Sequence, residues 1–214
     1  MRIGMLGGTF DPVHNGHLRS AVEVREALGL DRLHLVLAPK PPLRDTPQVS
    51  ATQRLALLKA GIGDTLGLLA DDRELQRAGP SYSVDTLAEL RQQYGNDVPL
   101  AMIIGFDAFL RLAKWDRAAQ LFELSHLVVI ARPGYYSPWP SALKELVGDR
   151  EVDSVDILMQ RPYGGMLMLE LPSLMAISAT YIRERLQAGK SVRYLLPEAV
   201  EQAIFQQGLY QSGE

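Results

Sequence analysis

The eleven residues from Gly7 to His17, GGTFDPVHNGH, constrain this chain more than any other stretch, because they mark the handover from a short apolar strand to a helix. Arg2 to Leu6 (RIGML) reads as a buried strand, and Asn15 to Leu28 places Leu18, Ala21, Val22 and Val24 or Arg25 at roughly helical spacing. Gly7 and Gly8 lack a Cβ and admit a close approach to the backbone, while Pro12 fixes a turn and removes a donor. Gly16 opens the helix entrance in the same way. A helix start offers unpaired N–H groups and a partial positive charge of about half a unit, which suits phosphate. His14 and His17, three residues apart, can lie on one side of that first turn. The pattern is neither GxGxxG nor GxxxxGK followed by Ser or Thr, the two commoner glycine-rich phosphate loops.

With 214 residues, 47% of them hydrophobic, the chain can bury a sizeable core. We expect a single domain over residues 1–214, with an irregular insertion at about 132–165 and a helical portion at about 178–214. A net charge of −3 supplies no broad basic field, so a nucleic-acid partner is not expected, whereas small anions need only local positive charge. The absence of cysteine excludes disulfides, thiolate zinc sites and a thiol nucleophile. There is no basic segment followed by a short apolar one at the N-terminus, and no apolar run approaches the ~20 residues of a membrane span. A cytoplasmic enzyme without a membrane partner is the expectation.

Further along, Leu33 to Leu37 (LHLVL) predicts a second strand, so the chain opens as strand, helix, strand, the start of a parallel α/β unit. Residues 38–49 hold four prolines and read as a loop, with Lys40 and Arg44 as either solvated charges or anion ligands at the carboxyl edge of the sheet. Ser50 and Gln53 predict a capping box for a helix to about Ala60, with Leu55 and Leu58 inward. A third strand is expected over Leu66 to Ala70, a surface connection over Asp71 to Arg77, and a helix capped by Ser81 or Ser83 and closed by Gly95. Leu100 to Ile104 predicts a fourth strand. The Asp107 beyond it is placed to receive ribose hydroxyls or to cap a short helix, and Trp115 to stack on a flat ring or to pack in the core. A helix over Asp116 to Leu124, a fifth strand over His126 to Ala131, a short helix near Ser141 to Val147 and a sixth strand over Met166 to Leu171 follow, with Trp139 as packing. Ser178 predicts a cap for a helix ended by Gly189, and Pro197 suits the first position of a final helix. The whole predicts a Rossmann-like, doubly wound parallel sheet of five to six strands.

GGTFDPVHNGH and the later ISATYIR, Ile177 to Arg183, resemble the signatures of the HxGH nucleotidyltransferase superfamily. GPSYSVDTL from Gly79, IIGFDAFLRLAKW from Ile103 and HLVVIARPGY from His126 narrow the resemblance to bacterial nicotinate mononucleotide adenylyltransferases, over essentially the whole chain. The resemblance implies that His14, His17 and Arg183 are catalytic, and that Gly7, Gly8, Thr9, Phe10, Ile177 and Ser178 hold ATP phosphates. It places Gly105, Asp107 and Arg132 on the adenosine side, and Tyr82, Ser83 and Trp115 at the nicotinate ring, with Lys40 and Arg44 toward the mononucleotide. Relatives often carry PPHK or PPHR after the second strand. Here the segment is Pro41-Pro42-Leu43-Arg44, which lacks the histidine and retains a cation.

The implied partners are ATP and nicotinate mononucleotide, with nicotinate adenine dinucleotide and pyrophosphate as products. An anionic phosphate nucleophile needs no general base, so catalysis reduces to in-line positioning and stabilisation of negative charge. No carboxylate cluster suggests a protein-held metal, and Mg²⁺ is expected to arrive with ATP. A sister transferase acting on phosphopantetheine or nicotinamide mononucleotide, and a non-catalytic nucleotide-sensing module, are the alternatives. A zinc site at His14 and His17 lacks a third ligand nearby.

Overall fold

The computed structural model describes residues 1–40, 46–131, 134, 137–173 and 175–211. Its strands are β1 Ile3–Gly8, β2 Arg32–Leu37, β3 Leu68–Asp71, β4 Leu100–Gly105, β5 His126–Ile130 and β6 Met166–Leu169. They form one sheet in the order β3-β2-β1-β4-β5-β6, with every neighbouring pair parallel. The chain runs outward from β1 through β2 to β3, then returns to the far side of β1 to lay down β4, β5 and β6. The strand order therefore reverses between β1 and β4, where open α/β sheets leave a crevice at the carboxyl ends of their strands.

The side-chain alternation of buried strands explains the layers. Ala101 and Ile103 of β4 and Val128 and Ile130 of β5 face one core, together with Leu33, Leu35 and Leu37 of β2. That face is covered by helices α1 Asn15–Leu28, α2 Ala51–Ile62, α8 Ala179–Gln187 and α9 Glu198–Gln206. Met102, Ile104, Leu127 and Val129 face the opposite core, with Ile3 and Met5 of β1. Helices α3 Ser83–Tyr94, α4 Phe106–Phe109, α5 Ala118–Leu124 and α6 Ser141–Val147 cover it. Trp139 packs edge-on against Phe109 at 4.9 Å, as expected of a core ring. Among the described residues no helix is long and apolar enough to cross a membrane.

The structure amends several local expectations. β1 continues through Gly7 and Gly8, which pair with Val36 and Leu37, so the glycines end the strand and do not form the turn. β3 begins at Leu68 and leaves Leu66 exposed. Pro197 is the residue before α9 and not its first turn. Between α6 and β6 a single helical turn, α7 Val155–Leu158, is capped by Ser154, and neither was expected. The charged run Asp71 to Arg77 is not a surface connection. Asp71 is buried and accepts from His34 Nδ1 at 2.7 Å and from Arg73, while the other nitrogen of His34 meets the Tyr94 hydroxyl at 2.8 Å. Glu74 is buried too, accepting from Thr86 Oγ1 at 2.6 Å. Burial holds the Glu74 carboxyl above the usual range, against its Thr86 bond.

Candidate active site

A cavity of about 460 Å³ opens where the strand order reverses. Met5 to Gly8 of β1 and Met102 to Gly105 of β4 form its floor, and Thr9 and Ala38 border it. The start of α3 (Ser81, Tyr82, Ser83), Glu74 and the Arg111 to Asp116 segment with Trp115 close the other side. Gly7, Gly8, Thr9, Gly105, Tyr82, Ser83 and Trp115 thus converge from segments far apart in sequence.

The two glycines that end β1 have different reasons to be glycine. A Cβ on Gly8 would stand 2.7 Å from Phe10 Cζ, and Phe10 is buried with its backbone in the left-handed region at φ 47°. A side chain at Gly8 would therefore have to displace the buried Phe10 ring. A Cβ on Gly7 would meet only Met5 Cε at 3.9 Å, and one on Gly105 would meet nothing within 4 Å. Packing leaves both positions open, and both line the cavity.

At the start of α1, His14 is the cap. Its Nδ1 accepts the His17 amide at 3.3 Å, which assigns the ring proton to Nε2 and makes that nitrogen a donor. The His14 and His17 rings stack with centroids 3.6 Å apart, and Phe10 meets His17 edge-on at 5.2 Å. Burial lowers the His14 pKa to about 4, so the imidazole is neutral near pH 7. A Cβ on Gly16 would lie 3.1 Å from the His14 ring and 3.5 Å from Ile177 Cβ, so the bare glycine lets the start of α1 and the segment leading to α8 come together.

Ser178 caps α8 by accepting the Tyr181 amide at 3.2 Å. One turn on, Arg183 donates from Nη1 to the Asp11 carbonyl at 2.8 Å and from Nη2 to Thr180 Oγ1 at 3.3 Å. Its Nε is buried without a partner among the described residues. His14, His17, Ile177, Ser178 and Arg183 are therefore gathered where two helices start, next to the Thr9 to Pro12 turn.

Other expected residues stand apart. Lys40 is exposed at the described edge of the loop after β2, whose Ala38 is the residue that borders the cavity. Asp107 is exposed in the first turn of α4 and does not line the cavity; Gly105, not Asp107, occupies the cap position. Arg44 and Arg132 lie outside the described residues. Neither Ser81 nor Ser83 caps α3. The cap position is Tyr82, whose side chain makes no capping bond, while its carbonyl takes the amides of Asp85 and Thr86. Among the described residues no side chain caps the first amides of α3, beginning with Ser83, so they can serve an outside acceptor.

Sequence reasoning missed Arg54. This side chain is only 1% exposed and donates to the carbonyls of Thr9, Ala38, Pro39 and Val49, at 2.6, 3.0, 3.1 and 3.3 Å. It ties the loops after β1 and β2 together beneath the site. The available signal was its spacing of three and four residues from Leu57 and Leu58, both fully buried on α2. Glu74 and Tyr210 were missed as well, since their partners come from distant segments.

The cytidylyltransferase-like family model matches residues 5–185. A protein of Chromohalobacter salexigens, described as a probable nicotinate-nucleotide adenylyltransferase, is 60% identical over 98% of this chain and 95% of its own length. One of Pseudomonas fluorescens with the same description is 46% identical over 99% of this chain and 98% of its own length. Among solved structures, Plasmodium falciparum nicotinic acid mononucleotide adenylyltransferase complexed with NaAD superposes with a TM-score of 0.71. That match covers 98% of this chain and 97% of the other at 14% identity, a likeness of fold. The chain belongs to the cytidylyltransferase-like family and, within it, to the nicotinate-nucleotide adenylyltransferases.

Proposed function

We propose that this protein, as one nucleotidyltransferase domain, transfers the adenylyl group of ATP to nicotinate mononucleotide, giving nicotinate adenine dinucleotide and pyrophosphate. The observation that carries the reading is the stacked His14 and His17 pair at the start of α1, facing the Ile177 to Arg183 segment beside a cavity at the reversal of the strand order. Two helix starts and a guanidinium would suit a polyphosphate, and the adjacent cavity with Trp115 would suit a flat ring.

In the reaction an oxygen of the mononucleotide phosphate attacks the α-phosphorus of ATP. The new P–O bond forms as the bond to pyrophosphate breaks, and the leaving group carries away the electron pair. The nucleophile is already anionic, so the protein must position two polyanions and stabilise charge on the α-phosphate and the departing pyrophosphate. We assign His14 as a neutral Nε2–H donor, His17 as its stacked neighbour on the same anion, and Arg183 as the cation that the Asp11 carbonyl and Thr180 hold beside them. Gly7 to Phe10, Gly105, Ile177 and Ser178 would frame ATP, with Asp107 and Arg132 toward its ribose and base.

Nucleotidyltransferases use a divalent cation with ATP, and we propose Mg²⁺ here. Among the described residues no three His, Asp or Glu side chains are grouped to hold a metal, and the Asp11 carboxylate accepts bonds from the protein itself. The phosphate oxygens of ATP would therefore carry the ion, which would supply neutralisation of the triphosphate.

For the second substrate, Tyr82, Ser83 and Trp115 would receive the nicotinate ring and carboxylate, with Lys40 and Arg44 toward its phosphate. The uncapped start of α3 supports this, because free amides and a favourable dipole suit a carboxylate. A reaction that consumes ATP fits a cytoplasmic setting. Pyrophosphate release that requires both ATP and nicotinate mononucleotide tests the reading; nucleotide binding without release would instead indicate a sensing module.

A further inference from the structure

Tyr210 lies after α9 and is 6% exposed, yet its hydroxyl reaches back 199 residues to the phosphate motif, donating to Asp11 Oδ1 at 2.8 Å. The other carboxylate oxygen of Asp11 accepts the Gln48 amide at 3.0 Å and lies 3.9 Å from Arg183 Nη1. That same guanidinium nitrogen donates to the Asp11 carbonyl at 2.8 Å. One buried carboxylate thus joins the segment after α9, the loop before α2, the arginine on α8 and the turn between β1 and α1.

Asp11 is also next to the most constrained backbone of the site. Phe10 holds φ at 47° and touches His17 with its ring edge at 5.2 Å, and Tyr210 itself sits at φ 60°. Side chains with a Cβ rarely occupy this region and remain there only where their surroundings hold them. A rotation of Asp11 would carry with it the Phe10 ring that backs His17 and the carbonyl that seats Arg183.

We propose that Tyr210 is a positioning residue for adenylyl transfer: through Asp11 it locks the turn that sets His17 and Arg183 for the triphosphate. Burial raises the tyrosine hydroxyl well above its ordinary pKa, so it stays a donor throughout the working range. The inference rests on the assignment of the phosphates to His17 and Arg183.

The test is Tyr210→Phe, which keeps the ring and removes the one donor, assayed at least 20 °C below its own melting temperature alongside wild type. We expect kcat/KM for ATP to fall about tenfold while KM for nicotinate mononucleotide changes less than twofold. Asp11→Asn should show the same split, and adding Tyr210→Phe to it should cost less than threefold further, since the two act as one unit. Wild-type kinetics in Tyr210→Phe, with or without a lower melting temperature, would overturn the proposal, as would a loss shared equally by both substrates. If Tyr210→Phe did not fold, Asp11→Asn alone would decide by the same split. Failure of wild type to form dinucleotide would count against the function itself, and is thereby distinguished from failure of the latch.

Discussion

Gly7 and Gly8 are adjacent, chemically identical and part of one motif, yet alanine at the two positions should fail in opposite ways. At Gly8 the added methyl would meet three ring carbons of Phe10 at 2.7, 2.8 and 3.0 Å. Ordinary carbon contact begins near 3.5 Å, so the ring must retreat by roughly half an ångström or more. Phe10 is 2% exposed and lies against His17, so that movement has nowhere cheap to go. Overpacking of this kind costs about 1 to 3 kcal/mol. For a chain of this size each kcal/mol is worth about 2 to 4 °C, so Gly8→Ala should melt on the order of 5 °C lower. At Gly7 the methyl would have one neighbour, Met5 Cε at 3.9 Å, and would project into the cavity. No positive φ is required there, so restricting the unfolded chain should leave stability equal to wild type or raise it by about 0.4 to 1 kcal/mol. Catalysis is a separate matter: if ATP lies against Gly7, the methyl should raise KM for ATP about tenfold or more. Calorimetry and steady-state kinetics on both variants supply the comparison. An unchanged melting temperature for Gly8→Ala would refute the packing argument, and a wild-type KM for Gly7→Ala would remove the open position from the ATP site.

Arg183→Ala should weaken ATP use more than mononucleotide use, because the guanidinium can fork onto phosphate oxygens; separate KM measurements check it, and a shift confined to the mononucleotide contradicts it. His14 has a pKa lowered to about 4 in the fold, below the 6.5 of a free imidazole, so the unfolded chain takes up the proton first as pH falls. Its contribution is whole above pH 6.5 and is lost between 6.5 and 4. His14→Asn keeps a capping acceptor while removing the titration, and should flatten the acid limb of stability in denaturant melts at each pH. Trp115→Ala should weaken acid and amide mononucleotides about equally, by roughly 1 to 3 kcal/mol for lost stacking, leaving their ratio nearly unchanged when both are assayed.

Local signals carried much of the fold. The apolar spacing after Gly16 and the Ser50 to Gln53 capping box mark helices that the structure contains, and the alternation in β4 and β5 places their residues on two cores. The glycines, histidines and serine cap of the candidate site were legible as element ends, where the structure places them. What the sequence concealed was polar burial. Asp71 and Glu74 look like solvated charges until His34, 37 residues away, and Thr86, 12 residues away, are brought against them. Arg54 looks like an exposed helix cation, since its four acceptors are backbone carbonyls that carry no sequence signature. The bond from Tyr210 to Asp11 depends on the packing of α9 against α2 and is invisible to any local pattern. The uncapped start of α3 was hidden for the opposite reason: two serines near it look like caps, yet neither makes that bond.

We propose that the amides at the start of α3, which no side chain caps, read the carboxylate of the mononucleotide. A carboxylate only accepts hydrogen bonds, whereas an amide also donates, and its NH₂ would face N–H groups there. A buried polar group left unpaired costs about 1 to 3 kcal/mol, which corresponds to roughly a 5- to 150-fold preference for the acid. The direct measurement is kcat/KM for nicotinate mononucleotide and for nicotinamide mononucleotide, each with ATP and Mg²⁺, following the dinucleotide formed. The expected result is dinucleotide and pyrophosphate in equal amounts with the acid favoured in that range; equal use of the two, or preference for the amide, would contradict it.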